Sequence, residues 1–500
     1  MTDRNLRTII YLGFASFGFI ALRFLFVPVR IKLLTSLLDK GQYGTLTLVS
    51  LSVSCLTILF ALGSLEFIRS KCPGKPESYQ YGVLWTGIRV GTAAVAIFVV
   101  PIMLLLILWQ PAKVELETPD YLIIGALVPL TLNIVQRVYF LMGQQKFVSA
   151  RLSQLLHADA WFLPIIPFCF FGALSVRTVL WVWLCSMILT AMLTHKWVRM
   201  EKLWEIKIAR IPAKEMLFFG LPLLPMMMGD LLFQLQDRYV LLWLMGPTSV
   251  ANYSLCLNIA MIGYMVGLSL IEIFSSELFR LTNETENADL PAIANQPKIR
   301  DLLQLMLRYG LIVTLPVAAA LAACGEAVIL VLSNPRFLDT VSLLAWTAPI
   351  AVLFVSYFVL GRVLMAVNRG IHLGVATIMA ATLNIVLNTL LVPAMDEKGT
   401  ALATCISLLV LNIVVAWLVR LPRWLPLSSL QPLRMASFYL LCAGGLHLLQ
   451  IHLSGHNLVI LALGAVWCLV VLFALGMVRR KDVMLMRKCL ESKSSKEETP

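Results

Sequence analysis

Asp230, Gln234, Asp237 and Arg238 stand at offsets of four, seven and eight within the long apolar run that begins at Leu217. Those offsets put all four on one face of a helix. A charged side chain at the centre of a membrane helix costs about 2.5–3.5 kcal/mol to insert, so such a face must turn to a protected polar path or to another helix. Ser16, Arg23 and Arg30 recur every seven residues in the first apolar run and form a second polar stripe. Arg89 lies between Gly87 and Gly91, and Arg137 lies one turn from Asn133. Guanidinium groups donate paired hydrogen bonds in a planar fork and stay charged at physiological pH, which suits phosphate and pyrophosphate. The expected anion-binding residues are therefore Arg23, Arg89, Arg137 and Arg238.

Each has a plainer role beside it. Arg30, Arg308 and Arg362 fall near helix ends, where a long side chain reaches the interface. Asp237 can neutralise its neighbour Arg238 or an arginine of another helix without touching a ligand. Asp159, Asp230 and Asp237 are candidates for proton or sodium coupling, because a buried carboxylate, like the imidazole of His157, can bind and release a proton as its surroundings move. An interhelical hydrogen bond is the alternative for each, and Asn384 with Asn388 reads as interhelical glue.

The elements that must position these groups follow from composition. The 500 residues are 59% hydrophobic and 13% charged, with a mean hydropathy of +0.86, which excludes a soluble globular chain. The expected class is an all-α polytopic membrane protein. At about 20 apolar residues per crossing, roughly fourteen transmembrane helices fit. Their expected spans are 8–29, 45–68, 81–108, 120–141, 152–172, 177–197, 216–245, 249–273, 303–324, 341–366, 371–393, 399–420, 434–451 and 457–478. The first run exceeds signal-peptide length, so a retained first helix is expected.

The net charge of +13 belongs to the membrane rather than to nucleic acid, because the basic residues gather at the ends of apolar spans. Roughly 28 of them fall on the side of both termini and roughly seven on the other, so both ends are expected in the cytoplasm. The ten cysteines form no CxxC pair and no zinc spacing, and read as packing residues. No GxxxxGK[ST] phosphate loop or other cofactor motif occurs, and no catalytic constellation argues for an enzyme. Prolines recur inside the spans, with Pro222 and Pro225 beside the charged stripe, where they invite kinks.

The basic stretch 196–214 falls midway through the first twelve helices and divides the chain. The expected parts are a lobe of six helices in 1–198, a basic cytoplasmic linker in 199–215, a second six-helix lobe in 216–422, two further helices in 431–479, and a polar tail in 480–500. A faint echo supports the division: LLDKGQYGTLTLVSLSV with Tyr43 follows the first helix, and LMGPTSVANYSLCLNIA with Tyr253 follows the seventh. Acidic residues, Glu66 in one copy and Glu272 with Glu277 in the other, lie near the far ends of the helices that follow. Six helices apart, the copies share one topology, the parallel repeat common in secondary transporters.

Three segments carry a family resemblance: LLTSLLDKGQYGTLTLVSLSVSCLTILFALGSLEF, FFGLPLLPMMMGDLLFQLQDRYVLLWLMGPTSVANYSL and NIVLNTLLVPAMDEKGTALATCIS. The chain resembles the polysaccharide transporter branch, the Wzx-type flippases, of the multidrug/oligosaccharidyl-lipid/polysaccharide exporter superfamily. The resemblance implies two six-helix lobes forming a V around a cationic cavity. It implies a cargo of undecaprenyl-pyrophosphate-linked oligosaccharide, an O-antigen, exopolysaccharide or capsule repeat unit, moved across a bacterial inner membrane by alternating access. Polymerase and glycosyltransferases would be its pathway partners, and membrane lipids its surroundings. A lipid II flippase or a multidrug/cation antiporter of the same superfamily is the nearer alternative, and a membrane-embedded glycosyltransferase or polymerase the more distant one.

Overall fold

Helices fill every expected span that can be followed, but several break where the sequence reads as continuous. In the second span, Lys40–Phe60 (α2) ends in a turn in which Leu62 and Gly63 both take positive φ, of 48° and 76°, before Ser64–Lys71 (α3) resumes. Left-handed backbone is sterically cheap for glycine and costly for most other residues. A Cβ on Gly63 would also overlap the Cα of Gly220. Gly220 ends Ala213–Gly220 (α9), and Leu224–Met245 (α10) follows, so the broken second and seventh spans touch at their breaks.

These features come from a computed structural model that describes residues 22, 25–72, 75–109, 116–144, 146–172, 174–201, 209–221, 224–283, 296–367, 369–419, 430–453 and 455–477. The chain packs as two compact units, one within Arg7–Ala251 and the other within Asn252–Pro500.

The first unit contains the helix 25–37 (α1), then α2 and α3. Glu77–Ala94 (α4) passes through the π-helical turn Val95–Val99 into Val100–Trp109 (α5). Thr118–Gly143 (α6) is followed by Phe147–Gln154 (α7), which widens into a π-helical turn at Leu155–Asp159 and tightens into a 3-10 helix at Leu163–Phe171. Val176–Val198 (α8), α9 and α10 complete the unit. A buried amide holds its centre: Gln136 Nε2 donates to Ser64 Oγ at 3.1 Å and to the Gly87 carbonyl at 2.8 Å, tying α6 to α3 and α4. The helix Pro247–Asn283 (α11) begins here, and the backbone of Pro247 and Ala251 packs so closely on Gly44 of α2 that a Cβ there would overlap the Pro247 carbonyl. The two echo segments of the sequence therefore meet where their helices start.

The second unit is built of longer, less interrupted helices. The 37 residues of α11 run about 55 Å, well past the roughly 30 Å hydrocarbon core, so this helix projects beyond the membrane. Pro297–Ala323 (α12) and Gly325–Leu332 (α13) lead to Val341–Ala366 (α14), which coincides with the expected span. Gly370–Val419 (α15) is two crossings joined at Asp396, whose φ of 53° and ψ of −140° mark the corner. Leu430–His452 (α16) and Asn457–Ala474 (α17) pack on α12 and α13 through Phe438, Cys442, Leu446 and Cys468.

Among the described residues there is no strand, and nine helices are long and apolar enough to cross a membrane. The α15 segment supplies two of the expected crossings, the broken spans supply others in pieces, and the expected span 8–29 falls mostly outside the described residues. The chain is an all-α, multi-pass membrane protein.

Candidate functional site

The charged residues of the first unit gather at its interrupted helices. In a π-turn the amide reaches back five residues instead of four, and Ala160 N–H does so to the Leu155 carbonyl at 2.8 Å. The 3-10 geometry that follows draws Leu163 N–H to Ala160 and Ile165 N–H to Phe162. The Ala158 carbonyl lies inside this change of pitch and accepts from Arg30 Nη1 of α1 at 2.9 Å. Buried Asp159 is the next residue, and His157 Nδ1 lies 2.9 Å from the Ser153 carbonyl. Phe26 meets Phe162 edge-on and Trp161 stacks on Trp183, so α1 and α8 clamp the break from two sides. Arg30, expected to reach the interface, is instead engaged with backbone. Asp159 is the last residue of the π-turn and is buried.

Arg137 lies between α6 and α8, about nine-tenths buried. Its Nη1 donates to the Ala191 carbonyl at 2.7 Å and to Thr194 Oγ1 at 3.4 Å, while Nε has no hydrogen-bond partner among the described residues. On α10, Asp237 and Arg238 are both buried, and Arg238 stands within electrostatic reach of Cys55 on α2. The next residue, Tyr239, places its hydroxyl 2.8 Å from Ser52 Oγ, which fixes the face α10 turns to α2. Gln236, also buried, has neither amide atom hydrogen-bonded among the described residues. Ser16 and Arg23 lie outside the described residues, as do the side chains of Asp230, Gln234, Glu272 and Glu277.

Arg89 stands apart from the other cations. Gly91 packs on Gln136 and Leu132 of α6, and Gly87 on Ile68 of α3 and Met216 of α9 with its carbonyl accepting from Gln136, so Arg89, two residues from each, falls on the opposite side of α4. There it lines a groove of about 720 Å³ with Trp85, Thr92 and Ile211. The structure thus does not bring Arg89 together with Arg137, although the two were grouped by residue type.

A feature that the sequence reading passed over is a charged clasp at the start of α6 and α8. Arg177 Nε lies 2.9 Å from Asp120 Oδ1 and its Nη2 lies 2.6 Å from Glu117 Oε2, joining both helix ends in one network. Three charges of suitable sign were visible in the sequence, but their pairing spans 57 residues.

The second unit has its own polar centre, made of amides and hydroxyls. Asn384 Nδ2 donates to Thr404 Oγ1 at 3.3 Å, Tyr253 OH lies 3.2 Å from the same oxygen, and Asn388 Nδ2 donates to the Asn384 carbonyl at 3.0 Å. Asn252 Nδ2 donates to Glu397 Oε1 at 3.2 Å beside the Asp396 corner. Asn384 joins the two crossings of α15 as interhelical glue, whereas the bond of Asn388 to Asn384 stays within one helix. Arg308 donates to the Met477 carbonyl, and Arg362 lies over the Phe358 ring at 4.3 Å. Among the described residues no group of three or more His, Cys, Asp or Glu could hold a metal ion.

Solved structures of membrane transporters share this fold. The lipid II flippase MurJ in an inward closed conformation superposes over 95% of this chain and 100% of its own, with a TM-score of 0.71 and 14% identity. An inward-facing multidrug resistance MATE family transporter of the MOP superfamily covers 81% of this chain and 94% of its own, with a TM-score of 0.63 and 15% identity. A MOP superfamily transporter from Pyrococcus furiosus, described as having a binding pocket of reversed polarity, covers 82% and 93% with a TM-score of 0.56 and 15% identity. No family model matches the chain, and no curated protein matches it. The chain has the MurJ- and MATE-like transporter fold.

Proposed function

We propose that this protein is a flippase that moves a lipid-linked oligosaccharide, carried on undecaprenyl pyrophosphate, from the cytoplasmic to the outer leaflet of a bacterial inner membrane. The observation that carries the reading is Arg238: a guanidinium buried within α10, in a fold similar to MurJ over nearly the whole chain. A buried guanidinium offers a phosphate paired, charge-assisted hydrogen bonds in a planar fork. Arg238 with Arg23 binds the pyrophosphate, Arg137 holds the packing that surrounds it, and Asp237 balances charge when cargo is absent. The two six-helix parts, 1–198 and 216–422, alternate access across the linker 199–215. Coupling to a proton or sodium ion through Asp159 and Asp237 completes the cycle.

Replacing Arg238 by alanine abolishes surface polysaccharide and accumulates lipid-linked sugar on the cytoplasmic leaflet, while immunoblotting shows normal protein in the membrane. Full surface polysaccharide in that variant sinks the assignment. The second reading is a lipid II flippase, favoured by the complete coverage of MurJ by this chain. Depletion separates the two: lysis with peptidoglycan precursor accumulation marks lipid II, and loss of surface polysaccharide with normal cell walls marks the oligosaccharide.

A further inference from the structure

A cation inside an apolar helix needs an anion or a carbonyl. Arg137, Arg308 and Arg362 each have a partner within the protein. Arg89 is exposed and has none among the described residues. Its surroundings are specific. Trp85, Arg89, Thr92 and Ala96 fall at offsets of four, seven and eleven and make one stripe of α4 facing a groove. The opposite wall is the chain entering α9: Ala209 N–H donates to the Ser78 carbonyl at 3.1 Å and Thr86 Oγ1 to the Ile211 carbonyl at 3.1 Å, pinning residues 209–213 along the helix. That strand of chain brings exposed Arg210 and Lys214 to the same end of α4, with Glu215 the nearby counter-charge, which acts on Tyr79.

The groove is graded along the helix. Trp85 is half-exposed one turn from Arg89 toward the basic segment, and an indole favours the boundary between headgroups and hydrocarbon. Beyond Arg89, on the side away from that segment, the lining is Val90, Thr92, Ala93 and Ala96, apolar but for one hydroxyl. A ligand that fits must be anionic near Arg89 and apolar further in. Free phosphate satisfies only the first requirement.

We propose that the groove between α4 and residues 209–213 is a headgroup site for an anionic phospholipid, with Arg89 holding the phosphate and Trp85 setting its depth. The lipid comes from the leaflet that the basic segment faces, and the site is separate from cargo handling, because Arg89 points away from α6. A bound anionic lipid fixes the 209–213 segment to α4 and so holds the start of α9.

The test is a titration of the full-length protein in neutral detergent with brominated phosphatidylglycerol, following quenching of tryptophan fluorescence. In the wild type, phosphatidylglycerol quenches at lower concentration than brominated phosphatidylcholine, and the preference weakens as salt rises. R89Q raises half-saturation for phosphatidylglycerol at least fivefold and leaves that for phosphatidylcholine unchanged, whereas R434Q, an exposed cation of α16, changes neither. W85F removes most of the saturable quenching. Equal affinity for the two lipids in the wild type, an R89Q curve that overlays it, or displacement of the lipid by inorganic phosphate overturns the proposal. Should R89Q fail to fold, R89K decides: charge without the planar fork weakens the selective phase several-fold, and an unaltered curve overturns the assignment.

Discussion

The two units solve the same problem, polar groups inside a membrane, by opposite means. In the unit within Arg7–Ala251 several helices break, and buried or half-buried arginines bond to backbone carbonyls. Arg30 caps the Ala158 carbonyl, Arg137 takes the Ala191 carbonyl, and the breaks after Phe60 and Gly220 lean on one another through two glycines. In the unit within Asn252–Pro500 the crossings stay long, and Asn384, Asn388, Thr404 and Tyr253 satisfy one another without charge. Neutral amides bind helices together cheaply, at roughly 0.6 kcal/mol on average and about 1.7 at most per hydrogen bond. Buried cations cost more to place and are more damaging to lose, so a fold that keeps them gains something besides stability. Interrupted helices offer free backbone groups and room for change, whereas continuous ones offer a rigid partner. Under the function proposed above, the chemistry falls to the first unit.

The largest effect expected is at the paired breaks. Gly63→Val forces a β-branched residue to positive φ and drives its Cβ into Gly220; it costs more than about 3 kcal/mol and removes folded protein from detergent extracts, as read by size-exclusion fluorescence. The matching change at Gly370 in the second unit, Gly370→Ala, meets open space and leaves the yield intact. If both variants fold equally well, the breaks are not a point of rigidity.

Next comes Arg137→Ala, which strips a charged donor from two α8 acceptors and lowers stability by about 1.5–3 kcal/mol in a denaturant or thermal series. Arg137→Met, which fills the space without charge, recovers most of that loss, because an apolar replacement removes the desolvation cost as well. A methionine variant that is stable yet inactive separates a functional cation from a structural one.

Asn384→Ala is expected to cost about 0.6–1.7 kcal/mol with transport retained, since its bond to Thr404 is neutral and interhelical. A loss of transport at unchanged stability would move the chemistry into the second unit and undo the contrast. The smallest effect is at the α2–α10 contact, where a double-mutant cycle between Ser52→Ala and Tyr239→Phe should give a coupling of about 0.5 kcal/mol or less, because both groups are open to competing donors and acceptors.

Much of this was legible in the sequence, and the reasons for what was not are physical. The expected span 341–366 matches α14 residue for residue, because a bare apolar run has one solution in a membrane. The span 45–68 hides a break, although Gly63 and Ser64 stood there to be read. Glycine is common in membrane helices, and only the close approach of Gly220 shows that this one is needed. The two π-turns left no signal, since one residue too many per turn leaves hydropathy unchanged. Asn384 and Asn388 share one helix face because a spacing of four is a local fact, but only the structure shows that Asn384 reaches Thr404 while Asn388 bonds back to Asn384. Arg89 and Arg137 are alike in type, yet face different neighbours, α4 presenting Gly91 to α6, Gly87 to α3 and α9, and its arginine elsewhere.

By itself, the sequence determined the all-helical membrane class, the approximate spans, and which residues are too costly to bury without purpose. Those are consequences of transfer free energy, which each residue carries wherever it goes. Tertiary structure alone decided where the helices break, which carbonyl each arginine serves, and that Arg89 looks out on a groove of its own. A hydrogen bond or a close glycine contact is a property of two segments far apart in the chain, and neither segment records it alone.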